Sequence, residues 1–381
     1  RMRWLERGIG LDRLFLRHRA VGVAGLALAA AHPAALTAFD LAQGGGLSMH
    51  PLKILGAAAF VLLAAAAAFA LFFSYPRLFG PYYTNLFVTF AVFAAYSVSL
   101  NMLLGYTGLL SFGHAMFFGA GGYGTALALK HIPGLPLFPA LGIGLLAATV
   151  LALVFSPLMV RVTGTAFAML HLAFGQLLYV LALKLRWITG GEDGIGRFPI
   201  PPLHLPGVGP ISLKNPENFY YFGTLILGLS IFLMWFFTKT PLGQVQIGVR
   251  DNARRMDYLG FKVPQTKAVV YVLSGTFAGV AGSIYGLFQN LVSCDGSLGV
   301  LVSFLPITNT VVGGIGSFFG PIWGAAILEV IGEITVRYTE RVELVQGGIL
   351  VLVMMFAPTG LVGFIQSLRL RWAARSAASA C

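Results

Sequence analysis

The sequence predicts an all-α polytopic membrane protein of about ten transmembrane helices, some of them broken or re-entrant. Three observations carry that reading. Of 381 residues, 57% are hydrophobic and 10% charged, against roughly 25% charged in an ordinary soluble domain. Apolar runs of roughly 20 residues, the length that crosses the hydrocarbon core as a helix, recur along the chain. Glycines crowd two apolar stretches, GYTGLLSFGHAMFFGAGGYG at Gly105–Gly124 and VGGIGSFFGPIWGAA at Val312–Ala326. A large soluble helical core would need charged faces, and the composition has too few charges to supply them.

Residues 1–50 form a basic N-terminal segment with Arg1, Arg3, Arg7, Arg13, Arg17 and Arg19. Its apolar stretch 20–39 is interrupted by His32-Pro33. The transmembrane body, residues 51–366, then offers spans at 52–73, 82–104, 108–129, 135–160 and 166–187. After a loop over 188–218 come 219–238, 267–288, 300–317, 318–337 and 344–366. A basic tail, 367–381, closes the chain.

Charge sets the orientation. The loop 239–267 holds Lys239, Arg250, Arg254, Arg255, Lys262 and Lys267 against Asp251 and Asp257, and the tail holds Arg369, Arg371 and Arg375 with no acid. Cytoplasmic flanks of membrane helices collect Lys and Arg, so loop, tail and N-terminal segment are all expected inside, and both termini are cytoplasmic. Six spans from 52 to 238 and four after the loop keep that parity. Counting 20–39 as a crossing breaks it, so that stretch reads as interfacial or re-entrant. The competing solution is that 108–129 does not fully cross, which its glycines permit. The loop 188–218 then faces outward, although Lys184 and Arg186 fall on that side against the rule. The net charge of +12 marks membrane flanks and not nucleic-acid binding.

The chain carries no Walker A, HExxH or GxSxG pattern, and Cys294 and Cys381 suggest neither a disulfide framework nor a metal site. What remains are glycines and intramembrane polar groups. Glycines let backbones approach closely, and they allow breaks where the segment is buried in protein or lines a wet cavity. Ser111 and His114, three apart, share a face if helical, and a polar residue in a span is a functional candidate by default. Hydrogen bonding across helices explains His114 equally well, and the same holds for His171. Glu329 and Glu333, four apart in 318–337, share a helix face. Between Pro241 and Pro264, Val245, Val249, Met256 and Leu259 form an apolar stripe with basic flanks, suited either to lipid headgroups or to a partner's groove.

Five motifs in order then resemble LivM-type permeases of bacterial ATP-binding cassette importers, the branched-chain amino acid class, over about 80–366. GYTGLLSFGHAMFFGAGGYG is similar to the family's G-x-x-G-x-x-S-x-G-H segment, and TGGEDGI at Thr189–Ile195 to its external loop. TPLGQVQIGVRDNARRMDYLGF resembles its cytoplasmic loop ending in R-[ED]-N and LG, VVGGIGSFFGPIWGAAIL its late glycine segment, and APTGLVG its closing P-x-GL-x-G. The resemblance implies ABC importer permease architecture and a transport subunit, not an enzyme. It needs no cofactor in this chain, ATP being bound by partners. Those partners are a homologous, LivH-like second permease, two cytosolic LivG- and LivF-like ATPases, and a periplasmic substrate-binding protein. The setting is the bacterial inner membrane. Arg250, Asp251, Asn252, Leu259 and Gly260 match the coupling loop and would touch an ATPase, with Arg254 and Arg255 as exposed neighbours. Gly190, Gly191, Glu192, Asp193 and Gly194 match the external loop, and Asn101, Ser111, His114, His171 and Gln176 are the expected lining of a pathway shared with the second permease. His171 stands where the family usually has a small hydroxyl, and Gln176 where it often has an acid. Members import branched-chain amino acids but also amides and carboxylates, which leaves the solute open. The alternatives are an ion-coupled secondary transporter, for which only Glu329 and Glu333 qualify, and a membrane enzyme, for which His114 and His171 are too sparse.

Overall fold

A computed structural model describes residues 51–205, 208–357 and 360–363. The segment 1–50, with its stretch 20–39, and the tail 367–381 lie outside them, as do Cys381 and part of the APTGLVG motif. The chain divides into two compact units, Arg1–Gly80 and Pro81–Cys381. The helix α1 (Pro51–Thr107) begins in the first and ends in the second, with non-helical backbone at Gly80 (φ 77°, ψ 175°). All the later elements belong to the second unit.

After α1 come α2 (Ala115–His131), α3 (Leu137–Met159), α4 (Gly164–Lys184) and the single turn α5 (Arg186–Thr189). The predicted loop 188–218 holds β1 (Ile195–Gly196), β2 (Leu203–Leu205) and β3 (Val208–Ile211). Next are α6 (Pro216–Lys239), α7 (Pro241–Tyr258), α8 (Val263–Gln289), β4 (Leu291–Val292) and α9 (Cys294–Leu298). The last helices are α10 (Val300–Gly313), α11 (Gly320–Val336) and α12 (Val342–Phe356). A helix stands in each of the ten predicted spans, and among the described residues seven helical stretches are long and apolar enough to cross a membrane. The protein is an all-α, multi-pass membrane protein. Two short antiparallel pairs, β1 with β4 and β2 with β3, are the strands within the described loops.

The outer faces are greasy, as a bilayer requires. Leu146, Val150 and Val154 of α3 and Leu225, Leu229, Phe232 and Phe236 of α6 are all more than half exposed on the isolated chain. Spacings of three and four put each set on one stripe. The interior is made by close backbones. A Cβ on Gly121 of α2 would strike the Gly279 carbonyl of α8, one on Gly282 the Phe118 carbonyl, and one on Gly279 the Ala148 methyl of α3. Leaving lipid for another helix removes no apolar surface from water, so tight van der Waals contact has to hold α2, α3 and α8 together.

One predicted span differs in an informative way. Residues 108–129 were expected as a span whose glycines permit a break, and the break is there: α1 stops before Gly108, which is in the left-handed region (φ 76°), and α2 starts only at Ala115. With 17 residues, α2 is about 25 Å long, short for a crossing. The non-helical segment 108–114 supplies the rest. It leaves the basic end, where Gly108 lies against Arg250 of α7, while α2 reaches the opposite end, where Tyr123 meets Cys294.

The glycine packing makes a contrast that can be measured. Gly121→Val must push α2 off α8, whereas Gly142→Val meets open space. Overpacking costs about 1–3 kcal/mol, so the first variant should lose folded yield and melting temperature in detergent and the second should match wild type. Equal melting curves would mean that the α2–α8 contact is not what holds the bundle.

Candidate functional site

Gly108 ends α1 by taking a conformation that costs a residue with Cβ dearly. Its N–H still reaches the Leu104 carbonyl at 3.2 Å, and that of Leu109 the Leu103 carbonyl at 2.9 Å. The chain then turns back inward, and Leu109, Ser111, Gly113 and His114 are buried. Irregular backbone at this depth must find partners within the protein. Ser303 of α10 caps the start of α2, its hydroxyl accepting from the Ala115 N–H at 3.0 Å.

The side chains of the segment enter a buried polar cluster. Ser111 Oγ and His171 Nδ1 of α4 are 3.0 Å apart, and the other ring nitrogen of His171 is 3.0 Å from the Tyr271 hydroxyl of α8. His114 Nε2 lies 3.1 Å from Ser99 Oγ of α1, while the Ser99 carbonyl accepts from Ser274 of α8 at 2.6 Å. Tyr96 stacks on His114 with centroids 5.5 Å apart and rings 16° from parallel. Glycine makes this approach possible: a Cβ on Gly113 would strike the His171 carbonyl, and one on Gly175 would come within 3.0 Å of Gly113 Cα. Two segments far apart in the chain thus touch backbone to backbone.

Ser111, His114, His171 and Asn101 have no accessible surface, so none of the four reaches solvent in this conformation. Gln176 is half-buried. Asn101 belongs to a neighbouring junction, donating to the Ser317 carbonyl at 3.1 Å in the turn between α10 and α11. Ser99, Tyr271, Ser274 and Ser303 are cluster members that sequence reasoning missed. A signal existed: Tyr96 with Ser99, and Tyr271 with Ser274, are pairs three apart in apolar helices, each sharing a face.

At the basic end, α7 starts with Thr240 as N-cap, its hydroxyl accepting from the Gly243 N–H at 3.2 Å. It breaks at Asn252 (φ −159°, ψ 92°), and Asn252 Oδ1 accepts from the Arg255 N–H at 2.9 Å to start a second piece. The expected apolar stripe is split by that break: Val249 is buried and Leu259 is 66% exposed. Asp251, Asn252, Arg254, Arg255, Leu259 and Gly260 all lie on the exposed surface. Arg250 turns the other way. Its Nη1 donates to the Gly105 carbonyl of α1 at 2.6 Å, while Asp251 holds the same guanidinium at 2.9 Å. Gly105 in turn faces the Ile315 carbonyl with no room for a side chain. One arginine therefore ties α7 to the end of α1, beside the α10–α11 turn.

At the opposite end, Gly190, Gly191 and Gly194 all take left-handed φ values. A Cβ on Gly194 would strike the Val292 carbonyl, so the loop lies flat on β4. Thr189 pins its start, donating to the Ala182 carbonyl at 2.5 Å and accepting from the Gly191 N–H at 3.2 Å. The result presents Glu192 and Asp193 outward, both exposed. In α11, Glu333 accepts from the Tyr82 hydroxyl and lies 3.8 Å from Arg337. Glu329 is half-buried.

Comparison with known proteins assigns this architecture to a family. A family model described as "Branched-chain amino acid transport system / permease component" matches residues 82–357. The high-affinity branched-chain amino acid transport system permease protein LivM of Escherichia coli K12 is 30% identical over 290 residues, 71% of this chain and 68% of that protein. BraD of Pseudomonas aeruginosa, a permease protein of the same description, is 24% identical over 291 residues, 72% of this chain and 92% of BraD. LivH of E. coli K12 is 27% identical over 140 residues, 36% of this chain and 44% of LivH. No solved structure matches the chain. The chain belongs to the branched-chain amino acid permease family and is LivM-like.

The cluster makes a stability prediction. Tyr271→Phe removes one partner from a buried ring nitrogen, at a cost of about 1–2 kcal/mol. His171→Ala orphans two hydroxyls and opens a void, at a cost of about 3 kcal/mol or more. Unfolding in mixed micelles by titration with dodecyl sulfate should rank wild type, Tyr271→Phe and His171→Ala in that order. Indistinguishable midpoints for all three would show that the network contributes nothing.

Proposed function

We propose that this chain is the membrane-spanning subunit of an ATP-driven importer, moving a branched-chain amino acid or a related amide or carboxylate from periplasm to cytoplasm. It would sit in a bacterial inner membrane with both termini cytoplasmic. Its partners would be a LivH-like second permease, two cytosolic ATPases that bind the ATP, and a periplasmic binding protein. Membership of the family supports the reading, and so does the lack of any nucleotide-binding motif in the sequence.

The observation that carries the mechanism is the Arg250–Gly105 contact. The second piece of α7 exposes Arg254, Arg255, Tyr258 and Leu259, cations around apolar side chains, as a surface for an ATPase. Arg250 lies on the inner side of the same helix and grips α1. Displacement of α7 is then passed to the end of α1, to the adjoining segment 108–114, and to the α10–α11 turn. On this reading Ser111, His114 and His171 brace the moving segment, and Asn101 binds the end of α1 to the turn. The solute path runs along the face shared with the second permease, where half-buried Gln176 is placed to meet it. The loop 188–218, with Glu192 and Asp193 outward, receives the binding protein.

The test is uptake of labelled leucine by vesicles holding the whole complex, with ATP hydrolysis followed alongside. Arg250→Glu reverses the charge on a partly buried contact. We expect uptake to fall about tenfold or more while hydrolysis by the ATPases continues. Uptake driven by an ion gradient without ATP would sink this reading and favour the secondary transporter. Glu329 would be that transporter's first candidate, since Glu333 is already held by Tyr82 and Arg337.

A further inference from the structure

Three cations gather at the basic end of the bundle, on elements that the packing brings to one height. Gly144, Ala148 and Ala152 of α3 face Ser283, Gly279 and Gly275 of α8 in turn, which makes the two helices antiparallel in a fixed register. Two turns further on, that register sets the buried Met159 and its neighbour Val160 beside Lys267, near the start of α8. The turn from α3 to α4 crosses at this height and carries Arg161. The start of α4 is level with it too, since Phe167 and His171 lie against Tyr271, one turn along α8 from Lys267. Lys262 is the N-cap residue of α8, whose first turn has neither a side-chain cap nor an acid. A helix start of this kind favours anions.

Lys267 is the informative residue. It is 6% exposed, and its side chain makes no hydrogen bond or ion pair among the described residues. Yet its Nζ is not one of the unpartnered atoms sealed from the surface. The stem is therefore buried and the ammonium alone reaches the outside, as long basic side chains do at a membrane boundary. Arg161 is exposed and its guanidinium is equally unpaired. No carboxylate among the described residues forms an ion pair with Arg161, Lys262 or Lys267: Asp251 is held by Arg250, and Asp257 is exposed on α7. Cations held at one height with no acid among them attract an anion from outside the chain.

The neighbouring surface says which anion. Val150, Val154 and Leu158 run at spacings of four along the exposed face of α3, and Arg161 follows three residues later on the same face. Acyl chains lying on that stripe end at the height of the three cations. We propose that Arg161 and Lys267, with Lys262 beside them, hold the phosphate of an anionic phospholipid whose chains lie along Val150, Val154 and Leu158. Basic pockets between membrane helices suit such headgroups. The bound lipid would join the α3–α4 turn to the start of α8, at the place where α7 leads into the packed block. The inference does not depend on which solute the protein moves.

The test is native mass spectrometry of the full chain, released from a neutral detergent after equilibration with phosphatidylglycerol or phosphatidylcholine. Phosphatidylglycerol should be retained about tenfold or more tightly than phosphatidylcholine. Lys267→Met keeps the buried stem and removes the charge, and Arg161→Gln alters an exposed site; each should weaken phosphatidylglycerol binding about fivefold, and the two together about thirtyfold. Lys267→Arg should restore most of the binding, and Lys184→Gln, at the far end of α4, should leave it at the wild-type level. Equal retention of the two lipids overturns the proposal, since the contact is then with bulk lipid. So does displacement of the lipid by inorganic phosphate at the same concentration, which would make this a free-anion site. Weakening by Lys267→Met alone, matched by a lower melting temperature in lipid-free detergent, assigns Lys267 to the fold and also overturns it. Lipid binding unchanged in both variants overturns it as well, and loss of a co-purifying ATPase in those variants would then give the cations to a partner protein.

Discussion

Backbone-to-backbone contact between α2 and α8 is the constraint on which the rest of this structure depends. In water, helices are driven together by the apolar surface they hide. In a bilayer the lipid is as apolar as leucine, and that drive is gone. Gly121 on Gly279 and Gly282 on Phe118 replace it with surfaces so close that no methyl group fits between them. Fixing α2 at this depth also fixes where it starts. Its first residue lies well inside the bundle, and the chain must cover the remaining distance from Gly108 without helical structure. The break in the helix is therefore a consequence of the packing, and the polar cluster is a consequence of the break.

A non-helical segment at that depth has side chains and backbone groups that water cannot reach. Hydrogen-bonded in the interior, polar groups are tolerated and specify one arrangement; unpaired, they are expensive. Ser99, Ser111, His171, Tyr271, Ser274 and Ser303 meet that demand, and this ties α1, α4, α8 and α10 to the segment 108–114 and the start of α2. Six buried side-chain atoms among the described residues have no protein partner: Asn101 Oδ1, His114 Nδ1, Thr125 Oγ1, both side-chain atoms of Gln246, and Asn290 Oδ1.

Most of the architecture was legible in the sequence because hydropathy and charge placement are local signals. Every predicted span contains a helix, and the glycines of 105–124 announced a tightly packed or broken element. The exact nature of the break was not legible, since it depends on how deep α2 sits against α8, a contact between residues far apart in the chain. His114 and His171 stood out singly as polar residues in apolar runs, but their partners did not. Ser111 meets His171 because Gly113 and Gly175 let two backbones touch, and no spacing rule connects positions so distant. Arg250 shows the same limit in another form. A run of exposed arginines reads alike in sequence, and only the turn of α7 ahead of Asn252 separates the one that faces α1 from those that face outward.

These features divide the second unit into parts that can yield and parts that cannot. Helices whose backbones already touch have no slack: a small shift at Gly121 meets carbonyl atoms, so α2, α3 and α8 move as one block or not at all. Freedom lies at the ends of that block, where α7 is broken at Asn252 and the left-handed Gly108 and Gly314 join helices through short turns. A push on α7 reaches α1 through one guanidinium and arrives at the segment 108–114, which is held by hydrogen bonds and not by an unbroken helix. Hydrogen bonds between hydroxyls and imidazoles can be exchanged for others one at a time, whereas interlocked backbones cannot. A packed core responds to such a push by switching between discrete arrangements and not by bending, and the polar cluster is the place in this fold where a second arrangement is chemically within reach.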